Sequence, residues 1–87
     1  MATKFDFTVA DQLVGAVEQT ASALEVKNGQ IEKHFGALHE GFKDSAYDEY
    51  AMDMSAANKA IKDVVLQLRE VGKHIAKYSE KLKGITL

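Results

Sequence analysis

Histidine is the only side chain here whose ordinary titration falls near neutral pH, and with three histidines and no cysteine the chain has no thiolate metal site. His34 and His39 stand five residues apart, about 140° around a helix axis, so they cannot bind one ion from one helical face. His74 is distant in sequence. All three read as surface or partly buried imidazoles. The acids Asp44, Asp48, Glu49 and Asp53 form a second cluster. They lack the glycine and the ligand order of a calcium loop, and acids are favoured at a helix start in any case. No serine has an activating context, and no glycine-rich loop is laid out to cradle a phosphate. No catalytic residue, metal or cofactor is therefore expected.

Arg69, Lys73, Lys77 and Lys81 follow at four-residue spacing. Such a stripe can dock an acidic partner or an anionic membrane; it can equally be a solvated face whose cations complement a helix C-terminus. The solvated face is the preferred reading. A net charge of −2 gives no case for nucleic acid, and no apolar run reaches the ~20 residues of a membrane span. Met1 to Thr8 holds one lysine and no apolar segment of signal-peptide length, so the expectation is synthesis in the cytoplasm without a cleaved leader.

The elements that must carry these residues are long helices. Thr8 followed by Asp11 fits a helix start, preceded by an irregular lead-in over 1–8. Val14, Val17, Ala21, Leu24, Asn28, Ile31, Phe35, Leu38 and Phe42 then alternate by three and four, which predicts a helix over about 9–39. Asn28 is the one polar member. It either fixes register inside the seam or faces water beside Gly29, and replacing it with leucine should raise thermal stability. Gly41 to Ser45 reads as the break, with Gly41 as a left-handed stop and Ser45 or Asp44 as the next cap. This places the inter-helix turn at 40–45.

The second helix, over about 45–83, has the stronger pattern. Tyr47, Tyr50, Met54, Ala57, Ile61, Val64, Leu68, Val71, Ile75, Tyr78, Leu82 and Ile85 keep the alternation without a miss. A strict seven-residue repeat implies coiled-coil-like packing. Its flanks Ala51, Ala60, Val65 and Gly72 are small or neutral, whereas Glu18, Glu25 and Glu32 make the corresponding edge of the first helix solvated. The first 50 residues hold nine acids and four bases and the remainder four acids and seven bases, so antiparallel packing brings opposite fields together. The expected fold is all-α: one antiparallel two-helix hairpin domain spanning 1–87. A single hairpin leaves much of each apolar face wet, so a four-helix bundle, by dimerisation or with a helical partner, is the natural completion. The packing and partner-facing residues would be Val17, Leu24, Ile31, Leu38, Met54, Ile61, Val64, Leu68, Val71 and Ile75.

At the break the sequence reads His39-Glu40-Gly41, with Ala46-Tyr47 placing an aromatic eight residues after His39. This resembles the Trp-x-Gly (WXG) family of small proteins exported by type VII secretion systems, in which a Trp-x-Gly turn joins two long helices and an Ala-aromatic pair opens the second. The resemblance covers most of the chain. Two positions depart from the pattern. His39 stands where the family has tryptophan. The family's export signal, a tyrosine followed four residues later by an acid, is degenerate here, since Tyr78 is followed by Leu82. An aromatic–acid pair at that spacing occurs only at the opposite end, as Phe7 and Asp11. The resemblance implies export as a dimer, or a targeting-factor or chaperone role bound to the helical N-terminal domain of a secreted toxin or to another small helical protein. The alternative is a cytoplasmic immunity or regulatory protein acting by helix docking. Neither reading includes stable membrane insertion.

Overall fold

The computed structural model describes residues 5–41 and 45–85, which form two helices, α1 (Phe7–Gly41) and α2 (Ser45–Ile85), and among the described residues no strand. The helices run antiparallel against each other as a rod of 65 × 19 × 18 Å. The direction follows from the cross-contacts: Phe5 meets Tyr78, Glu18 and Glu25 meet Arg69, Asn28 meets Asn58, and Phe35 meets Tyr47. The all-α hairpin expected from the periodicity is what forms. The absence of proline leaves nothing to break either helix over 35 and 41 residues.

The helix ends differ in detail from the sequence expectation. α1 begins at Phe7, and its cap is Asp6 rather than Thr8. Asp6 Oδ1 accepts hydrogen bonds from the backbone N–H groups of Thr8 and Val9 at 3.0 and 3.1 Å, and its carbonyl accepts from Ala10 N. An aspartate cap satisfies two orphan donors and places a negative charge at the positive end of the helix dipole. Glu40 and Gly41 belong to the last turn of α1, and Gly41 is not in the left-handed region. Of the expected turn at 40–45, Glu40 and Gly41 are helical in α1 and Ser45 begins α2. Phe42, Lys43 and Asp44 lie outside the described residues, as do Met1 to Lys4, so the proposed Asp44 cap lies there too.

The seam between the helices keeps one half of the predicted α2 ladder and exchanges the other. Met54, Ile61, Leu68, Ile75 and Leu82 are half-buried against α1, as expected. Their companions in the seam are Ala51, Asn58, Val65, Gly72 and Ser79, whereas Tyr50, Val64, Val71, Tyr78 and Ile85 face outward. The small row wins because it lets the backbones approach. A Cβ on Gly72 would already sit 3.7 Å from Val17 Cγ1. On α1 the seam runs through Ala10, Val14, Val17, Ala21, Leu24, Asn28 and Phe35, while Ile31 and Leu38 stay exposed at its rim.

The resulting core is thin. Among the described residues only Ala10, Ala21 and Val65 are buried apolar residues, and no large side chain is fully enclosed. Two polar side chains, Asn28 and Ser79, are buried with them. Aromatic contacts close the ends of the rod. Phe35 stacks on Tyr47 at 5.1 Å near the turn; at the far end Phe5 sits edge-on to Phe7 and Tyr78, and Lys83 lies over the Phe7 ring.

Candidate helix-docking surface

In a heptad-paired hairpin the seam has two flanking edges, and here they differ in kind. One edge is charged and bridged by ion pairs. Its α1 side is the seven-spaced column Asp11, Glu18, Glu25 and Glu32; its α2 side carries Lys62, Arg69 and Lys83 at the matching positions. Arg69 Nη1 donates to Glu25 Oε2 at 3.0 Å, and Nη2 donates to Glu25 Oε1 and Glu18 Oε1, each at 3.4 Å. Lys62 pairs with Glu32 at 3.5 Å. The bidentate guanidinium holds the Glu25 carboxyl below the usual carboxylate range, first by hydrogen bonding and then by charge. The glutamate edge expected to be merely solvated is therefore tied across to α2. Arg69 belongs to that tie rather than to a free basic stripe.

The opposite edge is apolar and open. Tyr50, Val64, Val71 and Tyr78, which share one seven-residue register along α2 with Ala57 between the first two, are 56, 48, 44 and 53% exposed. Ile85 continues the row, and Leu13, Ile31 and Leu38 of α1 rim the same side of the seam. Isolated exposed apolar residues are ordinary on protein surfaces, but a continuous seven-spaced row along a helix is the pattern of a helix-pairing seam. One face of α2 packs on α1 while the adjacent face stays largely exposed, touched by Phe5 at Tyr78.

The predicted packing residues divide between these surfaces. Val17, Leu24, Met54, Ile61, Leu68 and Ile75 are spent within the hairpin; Ile31, Leu38, Val64 and Val71 are on the open side. Glu40 and Gly41 end α1, Ala46 and Tyr47 lie in the first turn of α2, and His39 is in the last turn of α1. Tyr47 is used in the stack on Phe35. Of the degenerate export pair, Tyr78 is on the open edge and Leu82 is half-buried in the seam.

Sequence reasoning missed the Arg69 tie and the Asn28–Asn58 pairing. Both were available in principle. The glutamate column and the Lys62/Arg69 column occupy matching heptad positions, and Asn28 and Asn58 fall opposite one another once the turn is fixed. Asn28, 4% exposed, donates from Nδ2 to the Asn58 carbonyl at 3.5 Å. Asn28 Oδ1, Asn58 Oδ1 and Ser79 Oγ are buried without a hydrogen-bond partner. Of the two readings open for Asn28, the seam position is the one adopted.

Beside Asn28, a shallow groove of about 360 Å³ lies under the ion pairs, with Ile61 and Val65 as its floor and Gly29 leaving it open. Among the described residues no three His, Asp or Glu side chains converge on a point, and no helix is long and apolar enough to cross a membrane. The chain matches no known family model, no curated protein and no solved structure.

Proposed function

We propose that this chain is a helical docking protein of a type VII secretion system, which covers its open edge with another helical surface. That surface would belong to a second small helical protein or to the helical N-terminal domain of a secreted toxin, for which the chain acts as targeting factor or chaperone. The observation that carries docking is the exposed Tyr50–Val64–Val71–Tyr78 row beside the seam. The secretion system is supported by the spacing of His39, Gly41, Ala46 and Tyr47 around a short inter-helix connection. No catalytic role is proposed.

The test is co-elution with a helical toxin domain encoded beside it, using two variants that the structure separates. Val64→Lys puts a charge on the open edge only. It should leave the helical content unchanged and abolish the complex, because it would bury an unpaired charge there. Leu68→Glu puts its charge into the intramolecular seam and should unfold the hairpin itself. A complex that survives Val64→Lys would refute the assignment of this edge. Detection in the culture medium of intact cells would exclude the purely cytoplasmic immunity role.

A further inference from the structure

Asn28 is followed directly by Gly29, in the interior of α1. In an Asn-Gly pair the glycine backbone nitrogen can attack the side-chain amide, because no Cβ crowds its approach. The other asparagine, Asn58, precedes Lys59 and is crowded in that way. Packing within the hairpin does not account for Gly29, since a Cβ there would meet nothing within 4 Å. The folded hairpin holds the pair unreactive. Ring closure needs the Asn28 ψ turned well away from the helical value of about −42°. The Gly29 N–H lies inside the α1 ladder, directed at the carbonyl four residues back. The Asn28 side chain is 4% exposed and donates from Nδ2 to the Asn58 carbonyl at 3.5 Å. These restraints all come from the helix and the seam, so they lapse together when the hairpin opens.

We propose that Asn28-Gly29 is a self-modification site, whose reaction is released by opening of the hairpin and then bars its closing. In the open chain the Gly29 nitrogen gives up its proton to solvent and bonds to Asn28 Cγ. The Cγ–Nδ2 bond breaks and ammonia leaves, which closes a five-membered succinimide. Water then opens that ring at either carbonyl, leaving an aspartyl or an isoaspartyl residue at position 28. Water is the one co-reactant. Either product is unfit for the seam. A carboxylate there is buried one turn from Glu25 and one turn from Glu32. The cations beside it, Arg69 and Lys62, already hold those two acids, so the new charge is left unpaired. The isoaspartyl form also adds a methylene to the main chain and puts the α1 ladder out of register. A chain that has stayed open is thereby marked and kept from returning to the hairpin. This holds whatever covers the open edge of α2.

The test holds the full chain at mildly alkaline pH, native in one sample and unfolded in guanidinium chloride in the other. Peptide mapping by mass spectrometry follows the exchange of the Asn28 amide for an acid. The unfolded chain should convert Asn28 at least about tenfold faster than the native chain, because only opened molecules react. Asn58 should lag behind Asn28 in the unfolded chain, and Gly29→Ala should slow the reaction at position 28. On removal of denaturant, unmodified chains should regain their helical circular dichroism and melting temperature, and modified chains should not. Equal rates in the two samples would overturn the gating. An unfolded chain that keeps Asn28 intact as long as Asn58 would overturn the site itself. Modified chains that refold with an unchanged melting temperature would overturn the one-way closure.

Discussion

Replacing Asn28 with leucine tests the physical account of the seam most directly. Asn28 lies between Leu24 and Phe35 on the buried face of α1 and is almost completely enclosed. It makes one hydrogen bond, at the 3.5 Å limit of the useful range, to a carbonyl of α2, and its Oδ1 has no partner. An unsatisfied buried acceptor costs about 1–3 kcal/mol, whereas a single long neutral hydrogen bond returns at most about 1 kcal/mol. Leucine has the same branched skeleton of heavy atoms with bulkier methyl groups, so it adds apolar contact with Ile61 and Val65 across the seam and removes the orphaned oxygen. The expected gain is about 1–2 kcal/mol. In a domain of this size each kcal/mol moves the midpoint by about 4–8 °C, so Asn28→Leu should melt roughly 5–10 °C higher. Thermal unfolding followed by circular dichroism, at matched protein concentration because assembly contributes to stability, measures this. A midpoint lowered by several degrees would refute the reasoning. It would mean that the Asn28 amide is satisfied in the native assembly and that its role is to specify register rather than to tolerate a mismatch.

Three further outcomes follow from the two edges and the glycines. The carboxyl of Glu25 titrates lower in the folded chain than in the unfolded chain, so its contribution to stability is complete above about pH 4.3 and is lost as pH falls through the folded value. Arg69→Met should remove that part of the acid-side slope, and acid titrations of the two proteins with parallel slopes would contradict it. Because the ion pairs of this edge are exposed, Arg69→Met should also lower the melting temperature by only a few degrees, with the difference shrinking in high salt; a salt-independent collapse would show that Arg69 acts by packing instead. Gly15, Gly29 and Gly36 share one seven-residue register on α1, with Ser22 at the step between the first two, and a Cβ at each would meet nothing within 4 Å. Changing all three to alanine should stabilise the hairpin by about 2–3 kcal/mol through helix propensity, measured by urea unfolding, and a loss instead would mean that a closely packed neighbour covers this face.

The helices themselves were legible because their information is local. Alternation by three and four puts apolar residues on one side of a 3.6-residue turn, and without proline that pattern has no competitor. The antiparallel sense followed from a short connection and from opposite charge in the two halves. Caps were less legible. Thr8 and Asp6 are both competent cap residues, and the choice between them depends on how the chain enters the helix at Phe5, which packs on Phe7 and on Tyr78.

By itself the sequence determined that two long amphipathic helices form, that they fold back on each other, and that α2 carries more apolar surface than one neighbour can cover. Only the tertiary structure decided which of the two apolar rows of α2 faces inward. The rows share Met54, Ile61, Leu68, Ile75 and Leu82, so periodicity cannot separate them. The choice is made by closeness of approach, where Ala51, Gly72 and Ser79 admit the α1 backbone and Tyr50, Val71 and Tyr78 do not. It is also made by charge, where Arg69 reaches Glu18 and Glu25 only in that rotation. The rotation of α2 about its own axis is a property of the pair of helices, and the uncovered edge is its consequence.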